Sequence, residues 1–312
     1  MVQTPAGLVP ARSVRELLET LPGIQGLGPI DDIDLGSGPS AGLGWKAVSD
    51  LSALILEKAS QGYQRFVVIQ GTDTLEETAF AVELSTRVDG PVVFTGAMRG
   101  SSQPGTDGPA NLLGAMRVAG SEAAGRGVYV CLNDEVHAAR YVRKAHTTST
   151  AAFTSGEAGS VGRIHEGVFH SHRRLLPDIS GLGLTGSRPP GRVALVKLAL
   201  GDEGELIECV SAAGFDGCIL EAMGAGHVPA RLVDRIERLA RKIPVVLTSR
   251  ADDGRICTQT YGYAGSETDL LRRGVIAGGS LHPLKARILL ALCLREDAAR
   301  AIAMFRERLL NI

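Results

Sequence analysis

The sequence lacks a basic block, a long apolar run and a leader pattern, and each absence removes a class of protein. Lysine and arginine number 33 against 34 aspartate and glutamate, so the net charge of −1 argues against nucleic acid or an anionic membrane as the main partner. No apolar run reaches the length of a membrane span. The first residues show no charged region followed by an apolar one, so we expect no signal peptide and a globular, cytoplasmic protein.

Cysteine is scarce and unpaired in pattern. The chain has five cysteines, an odd number, and no two of them form a CxxC motif. Cys131 and Cys218 lie in apolar runs typical of strands, where a thiol is usually a small core hydrophobe. The pattern therefore predicts no disulfide framework and fits a reducing compartment.

Strand-like and helix-like segments alternate through the first half of the chain. Each apolar run is short and nearly continuous, as in strands that are covered on both faces of a sheet. Asp107 is placed to cap a helix that ends near Val118. The alternation predicts a parallel sheet with crossover helices, with strands at 66–70, 91–97 and 127–133 and a helix at 76–87.

The pattern changes after Lys144. The stretch "SVGRIHEGVFHSH" alternates and predicts a hairpin that turns at Glu166 and Gly167. A segment rich in Gly, Ser and Pro follows, and a second set of α/β elements ends in a helical stretch from Pro283 to Leu310. We expect an N-terminal domain at 1–178, a linker at 179–191 and a smaller C-terminal α/β domain at 192–312.

The front of the chain is unusual for a domain of this class. Ser13 and Glu16 have the spacing of a capping box, which predicts a short helix that ends near Gly23. We predict no strand ahead of this helix, although a parallel α/β domain usually opens with one. The chain is therefore expected to begin one strand late.

The stretch "VVIQGTDTLEETA" places two threonines and an aspartate between a strand and a helix. Thr74 and Glu77 have capping-box spacing, which predicts that Thr74 caps the helix. Thr72 and Asp73 are then left at the carboxyl end of a strand, where open α/β sheets bind ligands. A polar loop with surplus capping residues is an equally good interpretation of this stretch alone.

Lys144 lies in a second polar cluster, "RYVRKAHTTST", which spans residues 140–150. A lysine beside a threonine can accept the hydroxyl proton and activate the oxygen, provided that burial lowers the lysine pKa. The ordinary alternative is a solvated lysine on the surface.

Three further motifs match known signatures but lack the setting that their chemistry needs. Residues 38–42 match G-x-S-x-G around Ser40, but "GLG" follows where a nucleophile elbow requires a helix. The glycine pattern at 181–186 has no strand before it and no helix after it, so it is predicted to belong to the linker. His170 and His172 share one strand face without a third ligand, so we predict no metal site and no cofactor.

Four stretches of the chain resemble the bacterial-type L-asparaginase/glutaminase family. They are "QGTDTLEETAF", "PVVFTGAMR", "DGPANLLGAMRVA" and "GSLHPLKARILL", and the similarity runs from about Leu8 to the end of the chain. The resemblance implies a larger N-terminal parallel-sheet domain of flavodoxin or Rossmann type and a smaller C-terminal α/β domain. It also implies hydrolysis of the side-chain amide of asparagine, sometimes glutamine, by threonine chemistry without a metal. The implied assembly is an intimate homodimer, commonly paired into a tetramer, with active sites between subunits.

The resemblance implies a role for each matching residue. Thr72 and Asp73 match the family's second catalytic threonine and its neighbouring aspartate, and Lys144 matches the lysine paired with them. Ser37 matches a serine that binds the substrate α-carboxylate, and Glu267 matches a glutamate that reaches the substrate amine from the neighbouring subunit. The substrate-binding set is therefore expected to comprise Ser37, Gly38, Gly71, Thr72, Asp73, His227 and Glu267.

The chemistry of this set suits a zwitterionic amino acid. Asp73 and Glu267 supply negative charge for the substrate ammonium, and Ser37 with loop N–H groups supplies donors for the carboxylate. Lys144 and Thr72 supply the activated hydroxyl or water.

Four departures from the family pattern bear on activity. The "TGGTIA"-type segment with the primary nucleophilic threonine has no match in the sequence, and neither has the tyrosine of the mobile loop that follows it. Gly38 stands where glutamine is common, and His227 stands where asparagine is common. These departures predict weak binding and slow hydrolysis. They leave a non-catalytic amino-acid-binding protein on the same fold as the alternative.

Overall fold

The computed structural model places two compact units along the chain, Met1–Gly181 and Leu182–Ile312. The side chains of 2–4, 7–9, Gln25 and Ala298 lie outside the description. The described residues are 2–4, 7–9, 13–19, 21–36, 38–173, 178–184 and 188–312.

The first unit is built on a six-stranded sheet. Its strands are Phe66–Ile69 (β3), Pro91–Thr95 (β4), Gly127–Leu132 (β5), Glu135–Ala138 (β6), Gly162–His165 (β9) and Val168–Ser171 (β10). They lie in the order β10-β9-β6-β5-β4-β3. Strands β3, β4 and β5 pair in parallel, whereas β6, β9 and β10 continue the sheet with antiparallel pairs. The predicted parallel sheet is therefore confirmed over three strands, and the rest of the sheet is antiparallel.

Helices cover the parallel part of this sheet. Helices α3 and α4 both pack against β4 and β5, and every residue of β4 is buried. This double cover explains why the strands read as continuous apolar runs. Cys131 lies in this core as predicted, and desolvation raises the pKa of its thiol to about 12. The helices of the unit are Val14–Glu19 (α1), Trp45–Ser60 (α2), Leu75–Ser85 (α3) and Gly108–Gly120 (α4).

The second unit has a four-stranded sheet in which all strands are parallel, in the order β11-β12-β13-β14. Cys218 is buried in its core, and burial raises the pKa of that thiol to about 12. The strands are Val193–Lys197 (β11), Gly217–Ala222 (β12), Val245–Ser249 (β13) and Ile276–Ala277 (β14). The helices are Glu205–Ala212 (α5), Val233–Ala240 (α6), Glu267–Arg272 (α7), Pro283–Cys293 (α8) and Ala298–Leu309 (α9).

The predicted single helical stretch at the end of the chain is two helices, α8 and α9. Asp297 lies between them, and its carboxylate accepts the N–H of Arg300, so it starts a new helix in place of continuing the old one. In the described part of the chain, no helix is long and apolar enough to span a membrane. The predicted hairpin is confirmed, because Glu166 and Gly167 both have positive φ between β9 and β10.

The prediction that no strand precedes the first helix is wrong. Two short strands, Val2–Thr4 (β1) and Gly7–Val9 (β2), pair antiparallel with each other. Neither joins the six-stranded sheet, because their backbone hydrogen bonds are made within the pair. The predicted capping box is confirmed, since the N–H of Glu16 donates to Ser13 Oγ and the N–H of Ser13 donates to Glu16 Oε2.

Candidate active site

Three of the predicted site residues meet at the carboxyl end of β3, and we call them the Lys144 corner: Thr72, Asp73 and Lys144. The Nζ atom of Lys144 lies 2.9 Å from Thr72 Oγ1 and 3.0 Å from Asp73 Oδ1. Thr72 is 9% exposed, whereas the side chains of Lys144 and Asp73 are 18% and 61% exposed. The ammonium of Lys144 is therefore held inside the corner, while the aspartate carboxylate stays open to an incoming ligand.

The backbone of Lys144 is fixed from two sides. Arg143–Lys144 (β7) pairs antiparallel with Phe153–Thr154 (β8), and the N–H of Lys144 donates to Glu76 Oε2 at 2.8 Å. Glu76 is buried in the first turn of α3, next to the loop that carries Thr72. The sequence interpretation missed this role of Glu76. Its only signal was a glutamate close behind the polar loop, which also suits a helix N-terminus.

Thr74 occupies the N-cap position of α3, but the predicted side-chain cap is wrong. Its hydroxyl makes no bond to the helix and donates to the carbonyl of Ser40 at 2.9 Å. It also accepts from Gln70 Nε2 at 3.2 Å. The Thr74 hydroxyl therefore bonds to Ser40 and Gln70, although the local capping pattern predicts a bond to the helix.

Ser40 holds the loop of the Lys144 corner. It is buried at the start of a 3₁₀ turn, Ser40–Gly42, and its Oγ accepts the N–H of Asp73 at 3.1 Å. Gly71 packs so close that an added Cβ would lie 2.8 Å from Ser40 Oγ, so this position has no room for a side chain. A buried hydroxyl engaged with the backbone does not suit a serine nucleophile.

The two remaining predicted residues of this loop region differ in what the structure shows. Gly38 is exposed in an irregular segment, with no heavy atom within 4 Å of a built Cβ. Ser37 lies outside the described residues, so its predicted contact with a substrate carboxylate stays a prediction.

The second unit brings the other two predicted residues together in what we call the Glu267 cluster: His227, Tyr261, Tyr263 and Glu267. Glu267 is fully buried, and its Oε1 accepts the N–H groups of Thr260 and Tyr261 at 3.0 and 2.8 Å. His227 Nε2 lies 3.3 Å from Glu267 Oε2. The two tyrosine rings, which are exposed, pack edge-on against the imidazole.

The charge of Glu267 is stabilised within its own unit. Burial alone raises the pKa of this carboxyl, but the backbone N–H groups of Tyr261 and Thr260 and the nearby His227 outweigh it. The pKa therefore lies below its ordinary value, and the group is ionised at neutral pH. One oxygen of the carboxylate is committed to the 260–261 loop, so Glu267 organises that loop.

A second polar chain links Ser155, His137 and Glu135 in the first unit. Ser155 Oγ lies 2.9 Å from His137 Nδ1, and His137 Nε2 lies 3.5 Å from Glu135 Oε2. Burial lowers the pKa of His137, so the imidazole is neutral at physiological pH. Both Ser155 and His137 are buried, which leaves a substrate carbonyl no approach to the hydroxyl. We assign this series of side chains a role in packing the first unit.

Within the described residues, no three His, Cys, Asp or Glu side chains are grouped closely enough to hold a metal ion. Nε2 of His172 lies 3.0 Å from the carbonyl of Ser160, and the ring of His170 lies 5.8 Å from that of His165.

Comparison with protein families finds two matches that together span most of the chain. The model described as "Asparaginase, N-terminal" matches residues 1–176, and the "Glutaminase/Asparaginase C-terminal domain" matches residues 192–303. The Lys144 corner falls in the first match and the Glu267 cluster in the second.

Individual relatives carry two kinds of name. The chain is 37% identical to an L-asparaginase of Bacillus licheniformis over 236 residues, which cover 75% of this chain and 72% of that protein. It is 33% identical to L-asparaginase 2 of Bacillus subtilis over 310 residues, covering 97% and 80%. It is also 33% identical to a glutamyl-tRNA(Gln) amidotransferase subunit of Archaeoglobus fulgidus over 244 residues, covering 74% and 56%.

Proposed function

The chain belongs to the asparaginase family, and on that premise we propose that it hydrolyses the side-chain amide of L-asparagine to the acid and ammonia. The observation that carries the proposal is the contact of Lys144 Nζ with Thr72 Oγ1 at 2.9 Å, beside an exposed carboxylate on Asp73. A hydroxyl within hydrogen-bond reach of a potential base is an arrangement that can activate the hydroxyl for attack on an amide.

Recognition of the substrate follows from the open side of the Lys144 corner. The carboxylate of Asp73 is exposed and accepts from the ammonium of Lys144, so it can also accept from the ammonium of an amino acid.

The chemical step is a proton relay through Thr72. Lys144 in its neutral form accepts the hydroxyl proton of Thr72 while the threonine oxygen attacks the amide carbon. In the second route, the threonine oxygen takes a proton from a water as it gives its own proton to Lys144, and the water oxygen attacks. The C–N bond then breaks, and the lysine returns the proton to the nitrogen, which departs as ammonia. If Thr72 Oγ1 itself attacks, a water cleaves the resulting ester and restores the hydroxyl.

The primary test is ammonia release from L-asparagine and from L-glutamine by the purified chain. We expect release from both, with the larger kcat/KM for asparagine. The alternative function, a non-catalytic amino-acid-binding protein, is motivated by the lack of a "TGGTIA"-type segment in the sequence. Saturable binding of asparagine without any ammonia release would establish that alternative and overturn the proposal.

We also propose that the protein works as a homodimer or homotetramer, with Glu267 contributing to the site of a neighbouring subunit. The support is the exposure of Tyr261 and Tyr263, 42% and 53%, whose rings pack against His227 beside the buried carboxylate of Glu267. A two-fold assembly would place two such loops over two sites at once. Substrate affinity measured against protein dilution tests this idea, since a monomer with full affinity would contradict it.

A further inference from the structure

One buried side chain of helix α4 uses nearly all of its hydrogen-bonding capacity. Asn111, in helix α4, is 4% exposed. Its Nδ2 donates to the carbonyl of Gly96 at 2.9 Å and to Asp107 Oδ2 at 3.0 Å. Its Oδ1 accepts the N–H of Asn133 at 2.9 Å. The amide thus connects the segments that follow β4 and β5.

Asp107 holds the other end of the segment that follows β4. It stands at the N-cap position of α4, yet its carboxylate makes no cap bond and accepts the N–H groups of Met98 and Arg99 at 3.0 and 2.9 Å. We call residues 96–99 the 96–99 strip. Asn111 fixes its first carbonyl and Asp107 fixes its last two N–H groups.

Gly96, the first residue of the 96–99 strip, lies close to the side chain of Thr72. A Cβ built on Gly96 would be 3.2 Å from Thr72 Cγ2 and 2.4 Å from the carbonyl of Gln70. The methyl and hydroxyl of a threonine share one carbon, so a wall against the methyl also sets the direction of Oγ1. That direction is the one in which Lys144 Nζ lies 2.9 Å away.

We propose that Asn111 is a positioning residue for Thr72, acting through Gly96 on the threonine methyl. The proposal rests on the proposed function for its catalytic readout, although the contact itself is independent of it. A displacement of about 1 Å at a reacting group can cost about 100-fold in rate, so a loosened wall reduces kcat more than it affects KM.

The variants are Asn111→Ala, which leaves the Gly96 carbonyl without this donor, and the isosteric Asn111→Asp, which places an acceptor against that carbonyl. The matched control is Gln103→Ala, because Gln103 Oε1 accepts the N–H of Gly100 in the same loop region without touching Gly96. We expect kcat to fall about tenfold or more in both Asn111 variants, with KM changed less than about threefold. The control should keep wild-type kcat.

A double-mutant cycle separates positioning from general destabilisation. Thr72→Ser keeps the hydroxyl but removes the methyl that rests on Gly96. If Asn111 acts through that methyl, adding Asn111→Ala to Thr72→Ser should lower kcat by less than about twofold beyond the single variant. Multiplicative losses would overturn the proposal, because they would show that Asn111 and the methyl act separately.

An activity-independent readout keeps the inference distinct from the proposed function. Methyl-labelled threonine NMR reports the side-chain rotamer of Thr72 whether or not the protein turns over substrate. We expect a single rotamer in wild type and in Gln103→Ala, and rotamer averaging in a folded Asn111→Ala or Asn111→Asp protein. An unchanged Thr72 rotamer in both folded Asn111 variants would overturn the inference, whereas absent ammonia release in wild type would count only against the proposed function.

Discussion

The Lys144 corner and the Glu267 cluster both pair a carboxylate with a nitrogen cation or imidazole, yet they hold their charges in opposite ways. In the corner, the Asp73 carboxylate is 61% exposed and contacts a lysine that is itself mostly covered. In the cluster, the Glu267 carboxylate is fully buried and binds backbone N–H groups. An exposed carboxylate can exchange partners with a ligand at small cost, whereas a buried one is tied to its fold.

The difference assigns turnover mainly to the Lys144 corner and stability mainly to the Glu267 cluster. Removing the side-chain function of Lys144 or Thr72 should remove turnover, removing the charge of Asp73 should weaken substrate binding, and all three changes should leave stability almost unchanged. Removing the charge of Glu267 should lower stability first and affect substrate through the position of the 260–261 loop. Substitutions in each group, taken from the largest expected effect to the smallest, sharpen or break this division.

Lys144→Met should lower kcat for ammonia release by about 10²–10⁴-fold, the range expected when a general base is lost. The methionine keeps the length of the apolar stem, so the melting temperature should stay within a few degrees. Lys46→Met is the matched control, because Lys46 makes an exposed ion pair with Asp50 at 2.7 Å. Equal rates for Lys144→Met and wild type would remove Lys144 from the mechanism.

Thr72→Ala should lower kcat by about 10²-fold or more, since it deletes the hydroxyl that contacts Lys144 Nζ. Combining it with Lys144→Met should add little, because members of one catalytic set are not additive. To find which oxygen attacks, wild-type protein is quenched with acid during turnover and examined by mass spectrometry. A covalent acyl adduct on Thr72 identifies threonine attack.

Asp73→Asn should raise KM for asparagine by about tenfold or more, since it removes a charge-assisted acceptor for the substrate ammonium. Its effect on unfolding free energy should be small, because the carboxylate is mostly solvated. Asp50→Asn provides the control, as Asp50 is similarly exposed in its own ion pair. A large loss of stability with an unchanged KM would mean that Asp73 serves the fold.

Glu267→Gln should destabilise the protein by about 1–2 kcal/mol, the scale of exchanging charged for neutral hydrogen bonds with backbone N–H groups. Glu205→Gln is the matched control, because Glu205 also begins a helix, α5, and is exposed. Urea unfolding of the two variants at neutral pH measures the difference. Equal stability of both variants would show that the 260–261 loop does not depend on the Glu267 charge.

The difference in unfolding free energy between wild type and Glu267→Gln should depend on pH with a fixed sign. The pKa of Glu267 in the folded protein lies below its ordinary value of 4.5, so its stabilising contribution is full above that value. The contribution is lost as pH falls through the lower folded pKa. The stability gap between wild type and Glu267→Gln should therefore be present at about pH 5 and narrow as the pH falls further. A gap that widens in acid would contradict the assignment.

Much of the fold could be predicted from local patterns. The buried strands at β3, β4 and β5 are apolar without interruption, and Glu166-Gly167 marks its hairpin by turn chemistry alone. The two short strands at the front escaped prediction, because three residues carry too little periodicity to register as a strand.

The candidate site was predictable in its members but not in their partners. Thr72, Asp73 and Lys144 could be found because polar residues at strand ends stand out against apolar runs. The hydroxyl of Thr74, the carboxylate of Asp107 and the amide of Asn111 could not, since each bonds to a segment distant in sequence. A capping pattern considers only nearby backbone groups as partners of a side chain. In Thr74 and Asp107, contacts with distant segments replace the local cap bond.

The most direct test of the division of labour measures kcat and unfolding free energy together for Lys144→Met and Glu267→Gln in one set of preparations. The account predicts that Lys144→Met loses at least about 100-fold in kcat at wild-type stability. It predicts that Glu267→Gln loses about 1–2 kcal/mol of stability and keeps the larger share of kcat. The reverse pattern, with stability lost at Lys144 and turnover lost at Glu267 without destabilisation, would contradict it.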